Sequence, residues 1–474
     1  LSTPLFTPPK KTEEKESQLR LFNTLTKKKE VFEPRDVGNV TLYSCGPTAY
    51  EQANLLLCRR FVFSDLVTRY LEAKGFKVSA YMNFTDIDDN TIAGAEAAGK
   101  PLDEFTQQFI DAFHRDLAVL GIQPADKYPR ASEHVRDMVA LAEKLYLKGF
   151  AYEKLRSLYF NISKFQEYGR LSGIDLDKIR LGATVDLDEY EKENPRDFTL
   201  FKRCKLSELK RGIYTPTEWG NVRPSWHIQC TAMSMKYLGE SFDIHTSGRT
   251  LVFPHHENEI AIAQALTGKP LAKYWLHCDQ VLMDGKKMAE NLPRLNLEDL
   301  VEVGYTGRDI RYWLLSTHYR KPVRFSTERL DAAKRSLGRL NACMENLRNV
   351  SAGEPYPELD QLLYDIKQGF TQAMDEDLNI SAAIASLFRS VKAINKLVFE
   401  GRIDPEGAGR ILEAFQGINT VLHVFDFGDE RDAPEIQRMI QERQQARQER
   451  NWALADQLRE ALESRGVTVR DPKI

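Results

Sequence analysis

No stretch of this chain approaches the roughly 20 consecutive apolar residues that a membrane-spanning helix needs, so no membrane span is expected. Cysteine is scarce: six in 474 residues, none in a Cys-x-x-Cys pair. That usage excludes a disulfide scaffold and fits a reducing compartment rather than secretion. Charge of one sign is missing too, because 66 Lys and Arg against 69 Asp and Glu leave only −3. A polyanion partner is therefore not indicated by bulk charge, although a local basic strip can hide in a neutral total. There is no internal repeat and no low-complexity array, which excludes solenoids and fibrous folds. What is present is core material: 24 Phe, 18 Tyr and a 42% hydrophobic content, enough for about two to four domains. The chain begins at Leu1 without Met, and residues 1–20 read as a flexible, Pro- and Lys-bearing tail left from a longer precursor. The compartment expected is the cytoplasm or an organelle matrix, mitochondrial or plastid.

The first patterned segment is the β-type run Val40 to Ser44, closed by Cys45-Gly46-Pro47. Apolar residues at Phe63, Leu66, Val67, Tyr70 and Leu71 then recur with helical spacing. Gly75 stops that helix, and Lys77 to Phe84 reads as a strand. Strand, helix, strand predicts an α/β fold with a parallel sheet and ligands at the strand C-terminal ends. Helical patterns follow over Phe105–Leu120 and His134–Lys148. Residues 151–222 are mixed and turn-rich, as an inserted domain would be, within a catalytic-type unit spanning 21–325. After Ser326, four amphipathic patterns (Leu330–Arg348, Glu358–Met374, Ser381–Phe399 and Gly409–Val424) predict a helical bundle over 326–425. An acidic linker from Phe425 to Pro434 precedes a small helical unit at 435–474.

Four candidate metal ligands stand near predicted strand ends: Cys45, Cys230, His255 and Glu259. Thiolate, imidazole and carboxylate together suit a tetrahedral zinc site. His255 and Glu259, four apart, would share a helix face. Spacing alone does not bring the two cysteines together, and on spacing alone two buried thiols with a helix-cap histidine are the simpler reading. Trp226 taken alone is an ordinary core aromatic.

Several blocks change that weighing. Cys45-Gly46-Pro47-Thr48, Asn83-Phe84-Thr85-Asp86-Ile87-Asp88-Asp89, Trp226-His227-Ile228-Gln229-Cys230 and Phe253-Pro254-His255-His256-Glu257-Asn258-Glu259 appear in order. So do Glu167-Tyr168-Gly169-Arg170-Leu171-Ser172-Gly173, Asn194-Pro195-Arg196-Asp197-Phe198, His318-Tyr319-Arg320-Lys321-Pro322 and the region starting Asp375-Glu376-Asp377. From about Leu21 to the C-terminus the chain resembles cysteinyl-tRNA synthetase, a class I aminoacyl-tRNA synthetase. The resemblance implies a Rossmann-like catalytic domain with an insertion and a stem-contact region at about 285–325. A helical tRNA-binding bundle and a small anticodon-end domain would follow. It implies a zinc held by Cys45, Cys230, His255 and Glu259 that binds the thiolate of substrate cysteine, with Thr85 and Trp226 lining the amino-acid pocket. One metal–sulfur bond would then reject serine without editing.

The ATP elements of the family are a different matter. Where HIGH should open the first helix stands Asn54-Leu55-Leu56-Leu57, without either imidazole or the glycine that admits adenine. At the KMSKS loop, Lys287-Met288-Ala289-Glu290-Asn291 keeps Lys287 but replaces the second lysine by Glu290, and Pro293 stands for a glycine. The ribose-binding acid is absent from Thr246-Ser247-Gly248-Arg249-Thr250. Losing one preorganised charge-stabilising donor costs roughly 10²–10³ in rate, or about 2.7–4 kcal/mol. ATP chemistry is therefore expected to be lost. The chain then reads as an inactive paralogue recruited as a structural or regulatory subunit of a larger protein or ribonucleoprotein complex. An active cysteine–tRNA ligase with divergent signatures is the alternative, as is a ligase joining cysteine to another acceptor. In the bundle, Arg335, Arg339, Arg348, Lys392 and Lys396 could meet tRNA phosphates, although for each a solvated helix face is the simpler reading. The chain stops at Val469 to Ile474, short of the Trp-containing end usual in the family, so base-specific anticodon reading is not expected.

Overall fold

In a computed structural model, described over residues 18–175, 192, 194, 196–283, 296–427, 439, 442, 443, 446 and 451–463, a four-stranded parallel sheet organises the chain. Its order is Ala272–Cys278, Phe242–Gly248, Asn39–Ser44 and Lys77–Met82. The inner strands are buried along nearly their whole length, as expected where both faces are covered. The helix Leu55–Ala73 makes the crossover from Asn39–Ser44 to Lys77–Met82 and packs Phe61, Leu66, Val67 and Tyr70 into the main core. The chain then departs, and returns as Phe242–Gly248 on the other side of Asn39–Ser44. That reversal is a topological switch point, and the crevice above it is where open α/β sheets bind ligands.

Between those strands lies a five-stranded antiparallel sheet, ordered Ala151–Lys154, Ser157–Phe160, Phe198–Arg203, Gly220–Pro224 and Thr215–Thr217. Its apolar face (Leu158, Phe160, Phe198, Leu200) shares one core with Ile228 and Ala261, from the helices Trp226–Leu238 and Glu257–Thr267. The inserted sheet is thus continuous with the two helices that carry the metal candidates.

The predicted bundle helices appear as Thr327–Arg348, Leu359–Asp375, Ile380–Phe399 and Pro405–Leu422. Arginines dock them on the sheet domain. Arg311 Nε donates to Leu422 O (2.7 Å) and Arg69 Nη1 to Thr420 O (3.1 Å), satisfying carbonyls left open at a helix C-terminus. Two blocks of the family resemblance meet here: Tyr319 Oη and Arg320 Nε both donate to Asp377, at 2.6 and 2.7 Å, and Tyr70 Oη donates to Asp375 at 2.6 Å. Residues 428–434 of the acidic linker and most of the final unit lie outside the described residues, and the helix Trp452–Glu463 is the element described in that unit. Among the described residues no helix is long and apolar enough to cross a membrane.

Candidate metal centre

Cys45 follows directly on the strand Asn39–Ser44, and its loop is fastened from two directions. Thr85 N donates to Pro47 O (3.1 Å) and Ala49 N to Thr85 O (2.9 Å). Asn83 Oδ1 accepts from Gly46 N and Tyr43 Oη, both at 3.0 Å, and Cys230 Sγ approaches the same oxygen at 3.7 Å. Gly46 is needed for this packing, because a Cβ there would stand 1.5 Å from Asn83 O. Cys230 comes from the first turns of Trp226–Leu238. His255 lies in the turn before Glu257–Thr267 rather than inside the helix, while Glu259 is in that helix's first turn.

Folding unites these four distant residues. Cys45 Sγ is 3.8 Å from Cys230 Sγ and 3.5 Å from Glu259 Oε1. His255 Nε2 stands 3.0 Å from Glu259 Oε1 as an ion pair, without an aligned hydrogen bond. All four side chains are buried. Ligand atoms of Cys45, His255, His256 and Glu259 lie within 4.8 Å of one another, so His256, which the sequence reading passed over, belongs to the cluster as well. His256 Nε2 is 3.5 Å from Cys45 Sγ, and His256 Nδ1 is 2.8 Å from His277 Nε2. His245 adds another nitrogen, 3.2 Å from Glu259 Oε2. The pattern had a signal: His245 sits on the alternation face of Tyr43, its partner across the sheet.

The electrostatics concentrate charge in a buried place. The thiol of Cys45 donates to Cys230 and, against burial, brings Cys230 down to about 6. Burial and the neighbouring Cys230 push Cys45 well up. Burial opposes charge on His255, but Cys230 and Glu259 raise it to about 9. Burial likewise opposes the Glu259 carboxylate, which His245 and His255 hold down to about 2. Thiolate and carboxylate are thus crowded around an imidazole whose Nε2 is unsatisfied, a donor set that fits a borderline-soft divalent ion. His227 Nδ1, 3.1 Å from His255 Nδ1, fixes the ring so that Nε2 faces the cluster. Trp226 covers the other side, stacked on His255 at 3.9 Å between centroids and 13° between planes. Trp226 therefore touches a candidate ligand, whereas Thr85 acts on the loop mainly through its backbone.

Where HIGH would stand, Asn54 caps the helix Leu55–Ala73: its Oδ1 accepts from Leu56 N (3.1 Å) and Leu57 N (3.2 Å). Leu55 is buried in the main core, with Leu56 and Leu57 packed against it. Arg249 of the ribose-site turn pairs with Asp279 at 3.4 Å. Lys287, Glu290 and Pro293 lie outside the described residues. The five basic bundle residues are all exposed. Three of them have partners within the chain: Arg339 lies over the Phe388 ring, Arg348 donates to Phe427 O, and Lys396 faces Glu400.

A parallel sheet whose strand order reverses at the switch point, with the match to the class I catalytic-domain model over residues 31–335, makes this a class I aminoacyl-tRNA synthetase. Solved structures of that class share the fold: the Agrobacterium radiobacter LeuRS ternary complex (TM-score 0.59, 12% identity, 83% of this chain and 85% of that one). The Mycobacterium tuberculosis methionyl-tRNA synthetase with methionyl-adenylate is similar (0.58, 11%, 82% and 90%). The family model for the tRNA synthetases class I (C) catalytic domain matches residues 31–335. A DALR domain matches 369–426, and the cysteinyl-tRNA ligase anticodon binding domain matches 433–473. The chain belongs to the cysteinyl-tRNA synthetase family. Relatives named cysteine–tRNA ligase include those of Chlamydia pneumoniae (41% identical, 96% of this chain, 97% of the relative) and Methanosarcina mazei (39%, 96% and 98%).

Proposed function

We propose that this chain is a zinc-binding cysteinyl-tRNA synthetase homologue that has lost adenylation and serves as a structural or regulatory subunit of a larger assembly. The observation that carries this reading is the contrast at the switch point. The metal donors converge, while Asn54 spends its side chain capping its own helix and Leu55 to Leu57 are drawn onto the core. Zinc held by Cys45, Cys230, His255 and Glu259 would supply a bond to thiolate that a hydroxyl does not match. His227, Asn83 and Gly46 would keep those donors in place, and Trp226 and Thr85 would border the amino acid. Lys287 would remain as the one lysine of the KMSKS position, opposed by Glu290. Cytoplasm or organelle matrix is the compartment that fits six free cysteines.

Cysteine-dependent ATP–pyrophosphate exchange on zinc-loaded protein, beside an intact family member, is the test. No exchange with stoichiometric zinc is the expected result. Clear exchange would make the chain an amino-acid-activating enzyme, either the active cysteine–tRNA ligase that the near full-length match to relatives of that name favours or a ligase joining cysteine to another acceptor.

A further inference from the structure

Arg59 and Arg60 are neighbours on the helix Leu55–Ala73, and both are buried. Their surroundings differ. Arg59 donates Nε to Asp279 O (3.0 Å), Nη1 to Leu314 O (2.5 Å), and Nη2 to His318 O (3.3 Å) and Lys321 O (2.9 Å). Its role is to bind carbonyls at chain turns. Arg60, only 7% exposed, donates Nη2 to Gly46 O at 3.1 Å, and its Nε has no acceptor. Among the described residues no carboxylate lies within ion-pair distance of it. A guanidinium carries five N–H donors, and burying one without a counter-charge is costly.

Its guanidinium carbon lies 4.7 Å from the centroid of the Phe61 ring, a contact that leaves Nε without an acceptor, and its position is as telling. The side chain runs from the helix to the loop after Cys45, where Nη2 meets Gly46 O. Its Cδ passes 3.6 Å from where a Cβ on Gly248 would stand. Gly46 follows Cys45 and Gly248 closes the neighbouring strand. The side chain therefore bridges the C-terminal ends of the two central strands at the switch point, one residue from a metal candidate. Ser44 Oγ, on the sheet face that meets this helix through the Thr246–Ser64 hydroxyl pair (2.9 Å), is also buried without a partner.

We propose that Arg60 is the oxyanion-binding residue of this crevice, taking the carboxylate of a thiol-bearing amino acid whose sulfur is held by the metal. The proposal rests on the metal-pocket reading above and extends it. A carboxylate clamped by a guanidinium is retained but blunted as a nucleophile, so the site would bind cysteine without activating it. A phosphate offers the same oxygen chemistry and is the other source of the anion.

Calorimetry on the zinc-loaded full chain distinguishes them, with cysteine, cysteamine (the same thiol without the carboxylate) and inorganic pyrophosphate as probes. Arg60→Met is expected to weaken cysteine by about 10- to 100-fold while leaving cysteamine unchanged, with Arg60→Lys in between. A loss confined to pyrophosphate would keep the oxyanion site and assign it to phosphate. Unchanged affinity for both anions, with zinc content and melting temperature intact, overturns the proposal, as does a wild type that binds neither. Should Arg60→Met misfold, wild-type protein decides: cysteine no tighter than cysteamine, with no pyrophosphate bound, also overturns it. Pyrophosphate exchange is read separately, so activity there would end the inactive reading without deciding the role of Arg60.

Discussion

Two regions a few residues apart at the same end of the sheet have been built in opposite ways. On the metal side, Cys45 lies 3.8 Å from Cys230 and 3.5 Å from Glu259, Glu259 lies 3.0 Å from His255, and Asn83, His227 and Trp226 pack around them. Those donors are not satisfied among themselves: His255 Nε2 has no hydrogen bond. Where the first helix opens, by contrast, Asn54 is satisfied on its own helix and the leucines lie against the core. A site that needs a ligand to complete it advertises one. A site whose polar groups are already paired has little to offer a second molecule. Arg60 departs from that pattern and carries charge, while Ser44 Oγ and Ser247 Oγ nearby are buried without hydrogen-bond partners as well.

Breaking the metal side should have the largest effect. His255→Ala removes an imidazole donor and the charge that His255 sets against Cys230 and Glu259, leaving His245 as the histidine paired with Glu259. Bound zinc, measured by mass spectrometry on purified protein, is expected to fall from stoichiometric to background. Retained zinc would mean that His256 or His245 supplies the ligand instead.

Gly46→Ala attacks the same site through packing alone. With Asn83 O 1.5 Å from the new Cβ, the loop has to move, at about 1–3 kcal/mol, the usual range for overpacking. Denaturant unfolding should register that loss, and zinc affinity should fall with it, because Cys45 travels with the loop.

The smallest change is expected on the nucleotide side. Asn54→Ala costs about 1 kcal/mol, the ordinary value of an N-cap, with zinc content unchanged. A loss of zinc in that variant would show that the two regions are coupled, and the contrast between them would have to be abandoned.

Local order was readable in the residues. The run Val40–Ser44, the period-3.6 apolar set ending at Leu71 and the strand from Lys77 emerge as Asn39–Ser44, Leu55–Ala73 and Lys77–Met82. The four bundle helices appear within a few residues of their amphipathic patterns, since apolar spacing marks a buried face directly. The cap on the first helix hides Asn54 behind its substitution pattern, because a missing imidazole does not say what replaces its work.

The sequence by itself determined the class of fold, the helical bundle and the family, because periodicity and ordered motifs are properties of short segments. Tertiary structure decided which residues meet. Cys45 and Cys230 are 185 positions apart, and no spacing argument places their sulfurs 3.8 Å from one another. The same holds for His245 and His256 joining the cluster, for Asn83 tying strand to loop, and for Arg60 lacking the partners that surround Arg59. Whether a buried donor is satisfied depends on what lies across the fold from it, and that only the packed chain can specify.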